Sequence, residues 1–356
     1  MSKIDAYRLN VKKIENSNHI YVGDIAGVVS IIRDFTEPTD TYTPEVRLEV
    51  KSSKYKGAWI IPALAFIFEK GLVIDKLLMR EGKYYGIDYG YRGRYVNIDK
   101  NKYDKNTFQK ICNLFQSLDR SQSRAKRIYK VKLTNALKTY NESLLLNQNR
   151  IDLYSQSEQS YLNFYRILDM FTKANTAWEF AHEITSLITK DFIYHHYKKV
   201  RSSKLYKENH IPIAEKIFQT EKTNIEQKLG DISMYTHSKA RRVFLVLLFS
   251  LYQFRNKWLH NGFPFPSRTV VRSKKNKPDL SWYFGFSVGE SLPIKDSIGA
   301  LTYNNKNYIR YEELLKEIAP SSHGRQRQDF DKLYLLWPTG YFLHDIVREV
   351  LKQKIQ

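Results

Sequence analysis

The spacing of apolar residues changes along this chain, from every second position near the N-terminus to every third or fourth position beyond about residue 155. In residues 45–53, Val46, Leu48 and Val50 alternate with charged side chains, which is typical of a β-strand with one buried face. The later spacing is typical of amphipathic helices. The pattern therefore predicts an α+β domain at the N-terminus, followed by a mainly α-helical domain.

Three more segments define the N-terminal part. Residues 59–74 are almost continuously apolar and predict a short buried helix that ends at Gly71. Residues 83–99 carry tyrosines at every second position with glycines between them, which predicts a twisted β-hairpin. Residues 104–149 have a helical pattern with a basic cluster at 123–133, so we expect a helical connector there.

Long helical patterns fill most of the chain after residue 155. They cover residues 160–171, 175–200, 211–230, 238–261 and 331–354. Gly230 is placed to cap the third of these helices. We predict an α+β domain over residues 1–150, with the helical connector from about 104, and a helical bundle over 151–356. An irregular insertion is expected at about 267–328, where this pattern is lost.

The charge of the chain narrows its possible partners. The 58 Lys and Arg residues exceed the 37 Asp and Glu residues by 21, and the pI is near 9.6. Such a charge favours polyanions, with nucleic acid ahead of an anionic membrane. The longest apolar run, Val243 to Phe249, is too short to cross a bilayer, and the N-terminus has no apolar signal core. We expect a cytoplasmic protein that binds nucleic acid and not membranes.

The candidate chemistry lies where the most apolar helix ends, in the stretch RNKWLHNG. Asn256 and His260 are four residues apart and share a helix face, with Arg255 beside it. Histidine as a residue type titrates near neutral pH, so His260 can move protons, Arg255 can hold phosphate oxygens, and Asn256 can orient either group. RNA supplies its own nucleophile, the 2′-hydroxyl, and the expected product is a 2′,3′-cyclic phosphate. The alternative is structural, because Arg and His often cap carbonyls at a helix end.

The R-N-x-x-x-H stretch at the end of an apolar helix, followed by Asn-Gly, resembles the signature of HEPN domains. These are the all-helical fold of many prokaryotic defence and toxin ribonucleases. The resemblance covers roughly residues 155–265, where YLNFYRILDMF is similar to the family's first long helix and Asp169 takes the place of an acidic residue near its end. It implies metal-independent endoribonuclease activity and a homodimer that joins two motifs into one composite site.

Other residues admit weaker hypotheses for nucleic-acid binding. Arg92 and Arg94 are interleaved with tyrosines that either stack bases or simply fill a strand face, namely Tyr84, Tyr85, Tyr89, Tyr91 and Tyr95. Lys274, Lys275 and Lys277 form a basic loop suited to non-specific phosphate contacts. No metal site is predicted, because Cys112 is the only cysteine and adjacent His195 and His196 point apart on a helix.

Three functions compete at this point. The first is a metal-independent, cofactor-free endoribonuclease, with RNA as substrate and an antitoxin or defence-system protein as a further partner. The second is a non-catalytic RNA- or DNA-binding protein whose Arg255, Asn256 and His260 are structural. The third is a helical assembly module of a defence complex. The charge favours the first two, and the intact motif favours the first.

Overall fold

The computed structural model describes residues 4–17, 19–24, 29–34, 46–51, 59–80, 83–148, 155–202, 211–261 and 340–356. Helix predominates, and the strands of this part of the chain all lie within the first 99 residues. The prediction of an N-terminal sheet region followed by helices is therefore confirmed. The chain divides into two units, the first comprising Met1–Met170 with Lys354–Gln356 and the second comprising Phe171–Gln353.

The first unit contains eight described strands. They are β1 Ile4–Leu9, β2 Val11–Glu15, β3 His19–Asp24, β4 Val29–Asp34, β5 Val46–Lys51, β6 Ile74–Arg80, β7 Lys83–Asp88 and β8 Val96–Asp99. Six form an antiparallel sheet in the order β3-β4-β5-β1-β6-β7, and β2 pairs with β8 in parallel. Strand β5 confirms the prediction from the alternation of Val46, Leu48 and Val50.

The predicted hairpin over residues 83–99 is wrong. Strand β7 pairs with β6, and β8 pairs with β2 instead of β7. The chain turns out of the sheet after Asp88, whose carboxylate accepts a hydrogen bond of 2.7 Å from the Gly90 amide. Downstream, the Val96 amide donates to the Asn10 carbonyl at 3.0 Å. The tyrosines at every second position therefore continue from strand β7 into a loop, residues 89–95. Their spacing alone does not distinguish this loop from a second strand of a hairpin.

Four α-helices and a short 3-10 helix, Lys100–Lys102, complete the described elements of the first unit; the α-helices are α1 Ile60–Phe68, α2 Lys105–Arg120, α3 Arg124–Gln148 and α4 Ser155–Met170. Aromatic contacts join them. The ring of Trp59 stacks on Phe115 of α2 at 4.6 Å, and Tyr140 of α3 meets both Phe66 of α1 at 5.5 Å and Phe164 of α4 at 5.8 Å. Because α4 packs on α3, it groups with the first unit, which includes Met1–Met170.

Gly71 and Leu72, which follow α1, form hydrogen bonds with side chains and not with the backbone of a neighbouring strand. The amide of Asn141 accepts from the Leu72 N–H at 2.8 Å and donates to the Leu72 carbonyl at 2.7 Å. Asn10 and Gln148 bond the carbonyl of Gly71 at 3.1 and 3.0 Å. A Cβ at Gly71 would lie 2.5 Å from the Leu145 backbone nitrogen, so only glycine permits α3 to approach this closely.

The described helices of the second unit are α5 Ala177–Leu187, α6 Lys190–Ser202, α7 Ile211–Leu229, α8 Ser233–Thr236, α9 Lys239–Asn261 and α10 Gly340–Ile355. The end of α10, from Lys354, is grouped with the first unit. The single helix predicted over residues 175–200 is two helices. Ile188 is extended, and the Thr189 hydroxyl accepts from the Phe192 amide at 3.2 Å, which starts a new helix. The predicted cap at Gly230 is confirmed, because its φ is 74°.

Candidate functional site

Helix α9 carries the candidate catalytic residues, and its first half lies at the centre of the second unit. Every residue from Val243 to Leu251 is buried, which is typical of a helix surrounded by others. Trp178 of α5 stacks on Phe249 with ring centres 3.7 Å apart, and Phe180 meets Tyr252 at 5.4 Å. These contacts fix the helix that leads to the motif.

The start of α9 is braced by polar contacts. The Ser238 hydroxyl accepts from the Arg241 amide at 3.4 Å. The Arg242 guanidinium donates two hydrogen bonds of 3.0 and 2.9 Å to the Glu215 carboxylate of α7, and two more to the carbonyls of Tyr235 and Thr236. A planar guanidinium is suited to this four-way arrangement, because its N–H groups form a rigid fork.

The backbone of α9 continues through the motif and ends at Asn261. Arg255, Asn256 and His260 therefore occupy its last two turns, and Asn256 and His260 are separated by about 6 Å along the axis. The last carbonyls of a helix have no partner within it and carry partial negative charge, which favours a cation there. The side chains of these three residues lie outside the described part of the structure.

Asp169, the acidic residue suggested by the family resemblance, is an exposed residue of α4. Helix α4 belongs to the first unit, whereas Arg255 and His260 belong to the second. The structure thus places the two helices of the resemblance in different units. Lys274, Lys275 and Lys277 fall in the predicted insertion, which lies outside the described residues.

A second candidate site lies at the edge of the sheet in the first unit. We define the tyrosine–arginine surface as Tyr84 and Ile87 of β7 together with Tyr89, Arg92, Arg94 and Tyr95 of the following loop. All six residues are exposed, and β7 is the last strand in the sheet order. Tyr91 is half-buried beside them, and the side chain of Tyr85 is outside the described part. Arg92 and Arg94 are therefore accessible, although they lie on a loop and not on a strand.

A β-bulge shapes this edge. Ile87 lies opposite Leu77 of β6 and Tyr84 lies opposite Met79, so β7 has one residue more than its partner over this stretch. Gly86 has a φ of 63°, a conformation that glycine adopts without strain, and the Tyr84 ring lies 3.1 Å from the position of a Cβ at Gly86. Bulges on edge strands redirect side chains, and this one accompanies the exposure of Tyr84 and Ile87.

Buried polar groups hold the loop beneath this surface. The Tyr95 hydroxyl donates to Asp75 at 2.7 Å, and Asp75, which is 1% exposed, also pairs with Arg8 at 2.6 Å. Burial, together with this hydrogen bond, raises the pKa of Tyr95 to about 12, so its hydroxyl remains a donor. Tyr91 donates to the Arg94 carbonyl at 3.1 Å, and its ring meets that of Tyr95 at 5.9 Å.

Sequence reasoning missed an open cleft in the second unit. It has a volume of about 480 Å³ and is lined by residues of α6, α8 and the start of α9. Lys190, His237 and Arg241 line it together with Asp191 and Tyr194. No sequence motif links these residues, because α6 and α9 are about fifty residues apart and meet only in the tertiary structure.

Two other titratable side chains, His182 and Cys112, lie in packed surroundings. His182 lies 2.8 Å from the Tyr235 hydroxyl, and burial lowers the pKa of this histidine, against a smaller opposing effect of Glu183. Cys112 is fully buried, and burial raises the pKa of its thiol to about 12. Among the residues that the structure describes, no group of three His, Cys, Asp or Glu side chains is close enough to hold a metal ion.

The same part of the chain has no helix with both the length and the apolar character that crossing a membrane requires. Comparisons with known proteins do not add a relative. No protein family, curated protein or solved structure matches the chain.

Proposed function

We propose that this protein is a metal-independent endoribonuclease whose catalytic residues are Arg255, Asn256 and His260. It uses no cofactor, acts in the cytoplasm, and serves in defence against phage or as a toxin. The observation that carries the proposal is that α9 extends without a break through these residues, after a buried and braced first half. A rigid helix suits catalysis, because reacting groups must be held close to one geometry.

Each residue has a distinct task in the proposed reaction. His260 removes the proton from a ribose 2′-hydroxyl, and the resulting oxygen attacks the adjacent phosphorus. Arg255 stabilises the additional negative charge on the phosphate oxygens, and Asn256 orients the groups. The bond to the 5′-oxygen breaks, and that oxygen takes up the proton that His260 removed, which returns His260 to its starting state. The products are a 2′,3′-cyclic phosphate and a free 5′-hydroxyl, so the nucleophile comes from the RNA itself.

The family resemblance adds a homodimer to the proposal. A single chain carries one R-N-x-x-x-H motif, and two motifs brought together would form a composite site with two arginines and two histidines. An antitoxin or another defence protein would control such a nuclease. These partners follow from the resemblance alone, and the HEPN-like helical arrangement belongs to the same proposal.

The second candidate function is RNA binding without cleavage. It is favoured by the tyrosine–arginine surface, where aromatic and cationic side chains are exposed together, and by the net charge of +21. Under this function Arg255 and His260 would support the end of α9. The two candidates differ in one measurable respect, which is whether the purified protein breaks RNA.

The deciding experiment compares the wild-type chain with Arg255→Ala, Asn256→Ala and His260→Ala. A labelled single-stranded RNA is incubated with each protein in the presence of EDTA, and the 3′ ends of the products are analysed. The Arg255 and His260 variants should lose at least about a hundredfold in rate, since catalytic groups of these kinds contribute that much. Asn256→Ala should lose less. The product ends should be 2′,3′-cyclic phosphates.

Two controls make the result specific. His195→Ala alters an exposed histidine of α6 and should cleave at the wild-type rate. A substrate with a single 2′-deoxyribose at the cleavage position should not be cut there, because it lacks the nucleophile. Melting temperatures are measured on the same samples. Cleavage at the wild-type rate by a folded His260→Ala protein would refute the assignment, as would scission at the deoxyribose.

A further inference from the structure

We propose that the tyrosine–arginine surface binds single-stranded RNA, with bases stacked on its tyrosines and phosphates held by its arginines. The proposal rests on the proposed function in one respect, which is that both take RNA as the ligand. It adds that this RNA is bound as a single strand. Its own evidence comes from the first unit and does not involve Arg255 or His260.

The first argument is the concentration of exposed aromatic area. Tyr84 is 74% exposed, Tyr89 56% and Tyr95 41%, and Ile87 between them is 46% exposed. Among the described residues, half of the eight large hydrophobic side chains with such exposure lie between residues 84 and 95. Single exposed apolar residues are ordinary on a protein surface, but a cluster of them marks a binding surface.

The second argument is that the loop of this surface, residues 89–95, is held in place before any ligand arrives. Tyr95 is fixed through its hydroxyl to Asp75, and the Tyr89 amide donates to the Asp75 carbonyl at 2.9 Å. Tyr91 is bonded by the Asn10 side chain at 3.3 Å. A loop whose backbone and Tyr95 ring are already ordered loses less conformational entropy on binding, so more of the stacking energy is retained as affinity.

The third argument is charge. Residues 83–95 contain Lys83, Arg92 and Arg94 but only one acidic residue, Asp88. Asp75 is buried and paired with Arg8, so it presents no free negative charge to a ligand. A stretch that combines tyrosines with cations suits a polymer that carries both bases and phosphates.

The same features favour an unpaired strand over a duplex. The faces of paired bases are covered by their neighbours in the stack, whereas single-stranded bases can lie on aromatic side chains. A peptide could instead pair with the edge of β7 through its backbone. That occupant would not need the exposed tyrosine rings, and it gives no role to the arginines.

Binding is measured by fluorescence anisotropy with two labelled RNAs, a single strand of 12 nucleotides of mixed sequence and a hairpin duplex of the same composition. The protein is the full-length His260→Ala variant, which serves as the parent and prevents cleavage. Tyr84→Ala and Tyr89→Ala should each weaken binding of the single strand about tenfold, because a stacked base contributes about 1–3 kcal/mol. Tyr84→Phe and Tyr89→Phe should bind like the parent, since they keep the rings. Arg92→Gln with Arg94→Gln should reduce the salt dependence by about 1.4 in log–log slope.

Tyr194→Ala is the matched control, because Tyr194 is 57% exposed on α6 in the other unit and has Lys198 over its ring. It should leave binding unchanged. Parent-like affinity in a protein carrying both Tyr84→Ala and Tyr89→Ala would overturn the inference, and this is also the outcome expected if the edge accepts a peptide. Equal affinity for the hairpin duplex would overturn it too.

The outcomes separate this inference from the proposed function. If the tyrosine variants bind normally while the wild-type protein cleaves RNA, only the binding surface is wrong. If ring removal abolishes binding while the wild-type protein leaves RNA intact, the binding surface stands and the nuclease is refuted.

Discussion

Replacing Asn141 with leucine tests how the first unit is held together. Asn141 is 8% exposed, and its amide makes both backbone hydrogen bonds of Leu72, at 2.8 and 2.7 Å. Leucine has nearly the same size but can form neither bond. The substitution therefore leaves a buried N–H and a buried carbonyl without partners, while changing the packed volume little.

The expected loss follows from these two groups. A buried donor or acceptor that loses its partner costs about 1–3 kcal/mol, so two groups give about 4 kcal/mol as a central value. For a unit of this size, that corresponds to a fall of about 8–16 °C in melting temperature. The additional apolar surface of leucine offsets little of this loss in stability, because the leucine side chain does not match the shape of the backbone groups that Asn141 contacts.

Hydrogen exchange measured by mass spectrometry at increasing urea gives the opening free energy of peptides from α3 and β6. We expect it to fall by about 4 kcal/mol in Asn141→Leu. Asn135→Leu, at an exposed position of the same helix, is the matched control and should change it by less than about 0.5 kcal/mol. A loss below about 1 kcal/mol for Asn141→Leu would show that water or a rearranged backbone satisfies Leu72, and would refute the reasoning.

Two further predictions concern the second unit. Burial lowers the pKa of His182 in the folded protein, so its contribution to stability is complete above the unfolded pKa of about 6.5 and is lost as the pH falls through the lower folded pKa. On acidification, the urea midpoint of the wild-type protein should therefore decline towards that of His182→Gln. Parallel pH profiles of the two proteins would contradict this prediction. Arg242→Met should cost about 2–3 kcal/mol in chemical denaturation, because Arg242 and Glu215 are only 14% and 20% exposed and two carbonyls lose their donor. Lys222→Met, which breaks an exposed pair with Glu226, should change stability by less than about 0.5 kcal/mol, and equal losses would contradict the assigned role of Arg242.

The sequence by itself determined where the long helical segments of the described part lie and where one strand is formed by alternating apolar residues. The alternation at Val46, Leu48 and Val50 and the long apolar stretch of α9 each reflect which faces of an element are buried, and that information is local. The cap at Gly230 was equally readable, since it depends on one residue's backbone freedom. The R-N-x-x-x-H motif was located on the end of its helix for the same reason.

Only the tertiary structure decided which elements are neighbours. The pairing of β8 with β2 joins residues far apart in sequence, and the grouping of α4 with the first unit depends on its packing against α3. The tyrosines of residues 84–95 show the limit most clearly, because the same spacing is compatible with a buried strand face and with an exposed one. Their exposure follows from the bulge at Gly86, the position of β7 at the sheet edge, and the anchoring of Tyr95 on a buried Asp75 twenty residues earlier.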